Sequence, residues 1–235
     1  MTRRADARYF DRPVLEAAPA LLDAHLVSLI EGERVAVRLT EVEAYDGADD
    51  PGSHAYRGRT ARNATMFGPP GLVYVYFTYG MHFCANLVCG PPGQAHAVLL
   101  RAGEVVEGLA TARRRRYGAP TAGGPSHGQA GGPSDGQAAQ LADRRLASGP
   151  ANLARTLGLG RAHDGVDTTA PDAPLWVEPL EVVAPTARIR TGPRVGVAGA
   201  GGDARTYPWR FWLDGEPTVS AYRPAVKRVR RRPAG

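Results

Sequence analysis

The sequence predicts an α+β fold: a single compact domain with a mixed, largely antiparallel curved sheet and flanking helices. Three observations carry that expectation. Several segments alternate apolar and polar side chains with the period of a half-buried strand. Helical segments fall among them without the regular βαβ spacing that a parallel sheet needs. The third is composition: 235 residues, 43% hydrophobic and 22% charged, suffice to bury one core, while 29 Gly and 20 Pro exclude a fibrous or long-helical chain.

In chain order, residues 13–30 carry Leu15, Leu21, Leu22, Leu26, Leu29 and Ile30 at mostly helical spacing, which predicts a short amphipathic helix leading into a strand. The next segment alternates, and Val35, Val37, Leu39, Glu41, Glu43 and Tyr45 are expected on one face. The apolar side of this strand would then end in two carboxylates and an aromatic ring. Residues 72–101 read as a hairpin turning at Tyr79-Gly80, followed by a third strand. Residues 123–138 are a tandem duplication, GGPSHGQA then GGPSDGQA, inside a low-complexity stretch at about 118–140 that predicts a mobile surface loop. GPANLARTLGLG predicts a helix opened by Pro150 and stopped by Gly158. PLWVEPLEVVAP, RVGVAG and RFWLDGEPTVSAYR are expected to return to strands, and residues 224–235 form a basic tail. One domain spanning 1–235 is the expected organisation.

The net charge of +6 comes from an almost lysine-free chain, in which Lys227 is the only lysine among 29 basic residues. Such a charge favours polyanionic partners. No apolar run approaches the roughly 18 residues of a membrane span, and MTRRADARYF does not lead into an apolar signal segment, so a cytoplasmic location away from membranes is expected. Cys84 and Cys89 are an odd number of positions apart in a strand and would face opposite sides, which argues against a disulfide. His82, Cys84 and His96 sketch a zinc site, but no ligand spacing supports one, and neither metal nor organic cofactor is expected.

Two features of the residues suggest chemistry. Ionised groups on an apolar strand face must be paired, exposed or used. Glu41 and Glu43 are therefore either solvated acids at a fraying strand end, or they include a general base beside Tyr45 able to activate water. Five of the nine tyrosines, Tyr45, Tyr56, Tyr74, Tyr76 and Tyr79, fall close together in sequence. They read either as cross-strand core packing or, with Arg57, Arg59, Arg62 and Arg101, as platforms for stacking bases and gripping phosphates. At a hairpin tip, Tyr79 could wedge into a base stack.

TEVEAYDG, His54, ARNATMFGPPGLVYVYFTYGMHFCANLV and AVLLRAGEVVEG, extended by GPANLARTLGL, PRVGVA, YPWRFWL and TVS, resemble the 3-methyladenine DNA glycosylase family typified by the mammalian alkyladenine enzyme. The likeness covers most of residues 9–224. It implies a compact cofactor-free domain that flips alkylated or deaminated purines out of double-stranded DNA, hydrolyses the N-glycosidic bond and leaves an abasic site. It further implies a monomer working at the nucleoid. By that resemblance Glu43 activates water, while Arg101 and the Val219 carbonyl help hold it. Tyr45, His54 and Tyr76 line the base pocket, and Asn86 gates against the guanine amino group. Tyr79 fills the hole in the duplex with Met81 beside it, and Glu41 is a supporting residue. This chain departs from the mammalian pattern at His82, where an aromatic is typical. Two other readings are a catalytically silent nucleic-acid-binding domain and a sugar hydrolase using Glu41 and Glu43 as a pair. Glycosidase carboxylates normally come from separate elements, which weakens the latter.

Overall fold

The computed structural model describes residues 4–78, 80–118, 142–180 and 188–225. The duplicated loop, Tyr79 and the basic tail from residue 226 onward lie outside them.

Asp6 starts α1 (Ala7–Phe10) by accepting the Tyr9 N–H, and Pro13 precedes α2 (Val14–Ala20), whose Val14, Ala17 and Ala18 are buried. The strands are β1 (His25–Ile30), β2 (Glu33–Asp46), β3 (Val73–Thr78), β4 (His82–Cys89), β5 (His96–Glu107), β6 (Leu175–Glu178), β7 (Ile189–Gly192) and β8 (Arg210–Leu213). Between β5 and β6 come α3 (Leu109–Tyr117) and α4 (Pro150–Leu157). As expected, Pro150 opens α4 and Gly158 ends it in the left-handed conformation, φ +76°.

All eight strands join one sheet in the order β3-β4-β5-β2-β1-β6, with β8 added to the free stretch of β2 and β7 to β8. Each strand pairing is antiparallel. Glu31 and Gly32, both at positive φ, close the β1–β2 hairpin, the geometry that matches strand twist. One sheet face packs on α2, α3 and α4 through Val35, Val37 and Leu39 of β2, Val73 and Val75 of β3, Leu87 of β4, Leu100 of β5, Ala112 of α3 and Leu153 and Leu157 of α4. Across the sheet, a smaller cluster gathers Ala55, Met66, Tyr74, Val88, Ala95 and Ala97.

The alternation of β2 does not continue through the strand as its sequence suggests. Val35, Val37 and Leu39 face the helix-covered core, but Val42 and Ala44 take that side afterwards. The cause is a double irregularity in the β2–β5 ladder: Leu39 pairs with Gly103, Glu41 with Ala102 and Val42 with Leu100, so Thr40 and Arg101 have no opposite number. Each extra residue flips its strand by one position, the usual effect of a β-bulge. Glu41, Glu43 and Tyr45 are thereby turned off the core side, correcting the expectation that they share a face with Val35, Val37 and Leu39.

Three further differences have local causes. RVGVAG is a loop, with Gly196 and Gly199 at positive φ. The segment LATARRRRY forms α3 although Ala112 is its sole buried residue, so no apolar stripe announces it. Strand β7 is only four residues long and lacks a buried face.

Candidate active site

The bulged segment of β2 and its neighbours build one row of side chains across five strands. Tyr74 pairs with Asn86, Asn86 with Leu99, Leu99 with Glu43 and Glu43 with Arg210. Above this row opens a cavity of about 510 Å³, lined among others by Tyr45, His54, Tyr76, Asn86 and Arg101. The Pro150-Ala151 end of α4 and the loop Val195–Ala198 complete its wall.

Glu41 and Glu43 are both fully buried, so neither is a solvated strand-end acid. Their surroundings divide them. Glu41 is saturated: it accepts from Arg101 Nε at 2.8 Å, Arg210 Nε at 2.7 Å, the Ser220 N–H at 2.7 Å and the Ser220 hydroxyl at 2.9 Å. Glu43 has fewer partners. Its Oε1 accepts the Val195 N–H at 2.7 Å and its Oε2 the Tyr45 hydroxyl at 2.9 Å, while Arg101 Nε lies 3.4 Å away. Burial raises the Glu43 pKa, opposed by Arg101, the Val195 N–H and the Tyr45 hydroxyl. All three opposing groups belong to residues that line the cavity, so the carboxylate sits directly behind its surface.

The aromatic side of the cavity is equally specific. Tyr74 and Tyr76 stack with centroids 5.6 Å apart, and the His54 ring meets Tyr76 edge-on at 4.6 Å. His54 Nδ1 lies 3.2 Å from the Tyr74 hydroxyl. Burial of the imidazole and the nearby Arg62 charge lower its pKa, favouring the neutral ring. Asn86 donates from Nδ2 to the Tyr74 carbonyl at 3.1 Å, which fixes the amide with its oxygen available. Cys84 and Asn86 line this cavity whereas Cys89 joins the helix-side core, so the two cysteines face opposite ways and both are free thiols.

Beside the cavity-lining Tyr76, Arg62 reaches the Phe77 carbonyl at 3.5 Å and lies 5.9 Å from the Tyr76 ring. Arg59 lies 5.8 Å from the Phe67 ring, and Arg57 is exposed. Met81 is 70% exposed beside the β3–β4 turn. Val219, half-buried, immediately precedes the Ser220 that binds Glu41, which puts its backbone next to the Glu41–Arg101 cluster. The structure does not describe Tyr79 itself. Among the described residues, no group of three or more His, Cys, Asp or Glu side chains is placed to hold a metal ion, which gives the His82, Cys84 and His96 sketch no support. Nor is any described helix long and apolar enough to cross a membrane.

Sequence reasoning passed over three residues. Arg210 completes the Glu41 cluster. Asn63, 2% exposed, ties the loop carrying His54, Arg57, Arg59 and Arg62 by donating to the carbonyls of His54 and Gly58, both at 3.0 Å, and accepting the Thr60 N–H at 2.6 Å. Arg194, the largest fully buried side chain among the described residues, pairs with Asp50. All three fall within or beside quoted motifs, but nothing in their spacing marks them as buried.

A family model for methylpurine-DNA glycosylase matches residues 8–217. The chain belongs to the methylpurine-DNA glycosylase family. Its relatives agree over nearly full length. A Streptomyces avermitilis protein named "Putative 3-methyladenine DNA glycosylase" is 51% identical over 227 residues, covering 95% of this chain and 93% of the relative. Identically named proteins of Leifsonia xyli and Cutibacterium acnes are 50% and 44% identical, covering 89% and 90% of this chain. For a methylpurine-DNA glycosylase, a base-excision function and a DNA partner are the family's expectation, and the resemblance seen in the motifs extends over residues 8–217.

Proposed function

We propose that the protein is a monofunctional DNA glycosylase that flips alkylated or deaminated purines from duplex DNA into the cavity and hydrolyses the N-glycosidic bond. The observation that carries this reading is Glu43: a fully buried carboxylate, unsaturated compared with Glu41, directly behind an aromatic cavity. A carboxylate whose pKa is raised by burial is a stronger base than a solvated one, and suits abstraction of a proton from water. Its negative charge also stabilises the oxocarbenium character that develops on the sugar as the base departs.

Each remaining residue has a part in this scheme. Tyr45, Tyr76 and His54 offer aromatic faces to the extruded purine, and a cationic alkylpurine gains roughly 0.5 to 2 kcal/mol from such faces. Asn86 presents a fixed amide as a steric gate against the guanine amino group. Arg101 and the Val219 carbonyl orient the water. Tyr79 and Met81 fill the gap in the duplex, while Arg57, Arg59 and Arg62 contact its phosphates. Extrusion costs a few kcal/mol and is least costly at damaged positions, which adds selectivity. The protein works on DNA as a monomer, in the cytoplasm at the nucleoid. A silent binding domain gives no reason to desolvate Glu43 under the cavity. Incubation with duplexes bearing methylated adenine, hypoxanthine or ethenoadenine tests the proposal: released base with an alkali-labile abasic site is expected. Binding without release would overturn it.

A further inference from the structure

Arg194 has no part in the scheme above, yet it is 1% exposed and its partner Asp50 is fully buried. The guanidinium donates to Asp50 Oδ2 at 2.5 Å, Asp50 Oδ1 at 2.7 Å, the Ala44 carbonyl at 2.9 Å and the Gly201 carbonyl at 2.8 Å. Its carbon lies 4.5 Å from the centroid of the Tyr45 ring, with Trp209 at 5.3 Å and Tyr207 at 5.6 Å closing the box. The next residue, Val195, donates its N–H to Glu43 Oε1. Two consecutive residues therefore hold three: Glu43 by its carboxylate, Ala44 by its carbonyl and Tyr45 by its ring.

A buried ion pair is weak evidence of stabilisation, since packed apolar side chains often serve as well. The Arg194 Nε is moreover buried without a hydrogen-bond partner, a cost that stability alone does not explain. Asp50 offsets the charge and accepts the Gly52 N–H at 2.8 Å, anchoring the turn that follows β2.

We propose that Arg194, clamped by Asp50, is a positioning residue that sets the Glu43 carboxylate and the Tyr45 ring in register with each other and with the cavity. This deepens the glycosylase reading and rests on it. The link is both mechanical and electrostatic. Glu43 is faced by Glu41 and Tyr45 from its own strand, Arg101 from β5, Tyr76 from β3 and Arg194 from the loop, so Arg194, like Arg101, interacts electrostatically with the base. Removing it favours protonated Glu43.

The test is the variant Arg194→Gln, which substitutes a neutral amide for the guanidinium and leaves the Asp50 charge in place, with Arg194→Lys as a second arm that keeps the charge and loses the planar fork. Excision of hypoxanthine is followed in single turnover across pH, alongside duplex affinity and a carbon-13 carboxyl NMR titration of Glu43 without DNA. Arg194→Gln should excise roughly 10- to 100-fold more slowly, as for a mispositioned catalytic group, with affinity within about threefold of the parent. Its Glu43 midpoint and the acid limb of its rate profile should both move to higher pH. Arg194→Lys should slow excision while leaving that midpoint near the parental one. A folded variant of either kind excising at the parental rate would overturn the proposal, as would an unmoved midpoint in Arg194→Gln. The titration needs no turnover: a parent that releases no base, with the midpoint still shifted by the variant, would sink the glycosylase reading and leave the link between Arg194 and Glu43 standing.

Discussion

The Tyr45 hydroxyl donates to Glu43 Oε2 at 2.9 Å, joining a wall of the cavity to the carboxylate behind it. This bond helps keep Glu43 ionised against the desolvation that raises its pKa. Tyr45→Phe keeps the ring and removes the bond, so the Glu43 pKa should rise further. Because the ionised form is the base, the acid limb of excision should move to higher pH. Loss of a hydrogen bond to a charged group corresponds to about 1.5 to 3 kcal/mol, and single-turnover rates on hypoxanthine across pH would show it. An unmoved acid limb would mean that this bond does not tune the base.

Glu41 predicts the opposite kind of defect. It neutralises Arg101 and Arg210 in a buried cluster, and Glu41→Gln leaves two desolvated guanidiniums short of a counter-charge. Breaking a buried pair from one side costs about 3 to 5 kcal/mol. Thermal unfolding should therefore show a large loss of stability, and a near-parental melting temperature would contradict the supporting role.

These two carboxylates also show where the sequence was legible and where it was not. The run Val35, Val37, Leu39 identifies β2, and the tyrosine-rich hairpin, the antiparallel sheet and α4 follow from periodicity, Gly and Pro. What periodicity cannot register is an extra residue. Thr40 has ordinary strand character, so nothing in its chemistry says that it lacks a partner and reverses the two faces. The oddity of acids ending an apolar stripe was visible, but its resolution needed the ladder. RVGVAG misled for a related reason: alternating valines read as a strand, whereas the glycines bend it into a loop whose Val195 N–H meets Glu43. Arg194 stayed hidden because an arginine in a basic chain looks like surface.

Tyr79 should act on the duplex and not on the fold. Tyr79→Ala is expected to weaken binding to a lesion-bearing duplex by about 1 to 3 kcal/mol, the worth of a lost base stack, with little change in melting temperature. A fall in thermal stability with unaltered DNA affinity would make the side chain part of the core.

The chemistry should stop at the abasic site. Strand-cutting glycosylases attack the sugar with an amine, and the one lysine of this chain, Lys227, lies in the basic tail, far in sequence from Glu43. Borohydride treatment during turnover should trap no covalent protein–DNA adduct, and strand breaks should need alkali. A trapped adduct would replace water with an amine as the nucleophile.

The most direct test of the account is Glu43→Gln, read for excision, lesion-duplex binding and thermal unfolding on the same preparation. The amide matches the carboxylate in shape and cannot accept the proton, so base release should be nearly abolished while binding persists. Stability should hold or rise. A folded-state carboxyl pKa above its unfolded value means that the native state binds the proton more tightly, so native stability falls as pH rises through that window, and a neutral side chain avoids the loss. An inactive, lesion-binding variant at least as stable as the parent is the predicted result; excision at the parental rate would contradict the role given to Glu43.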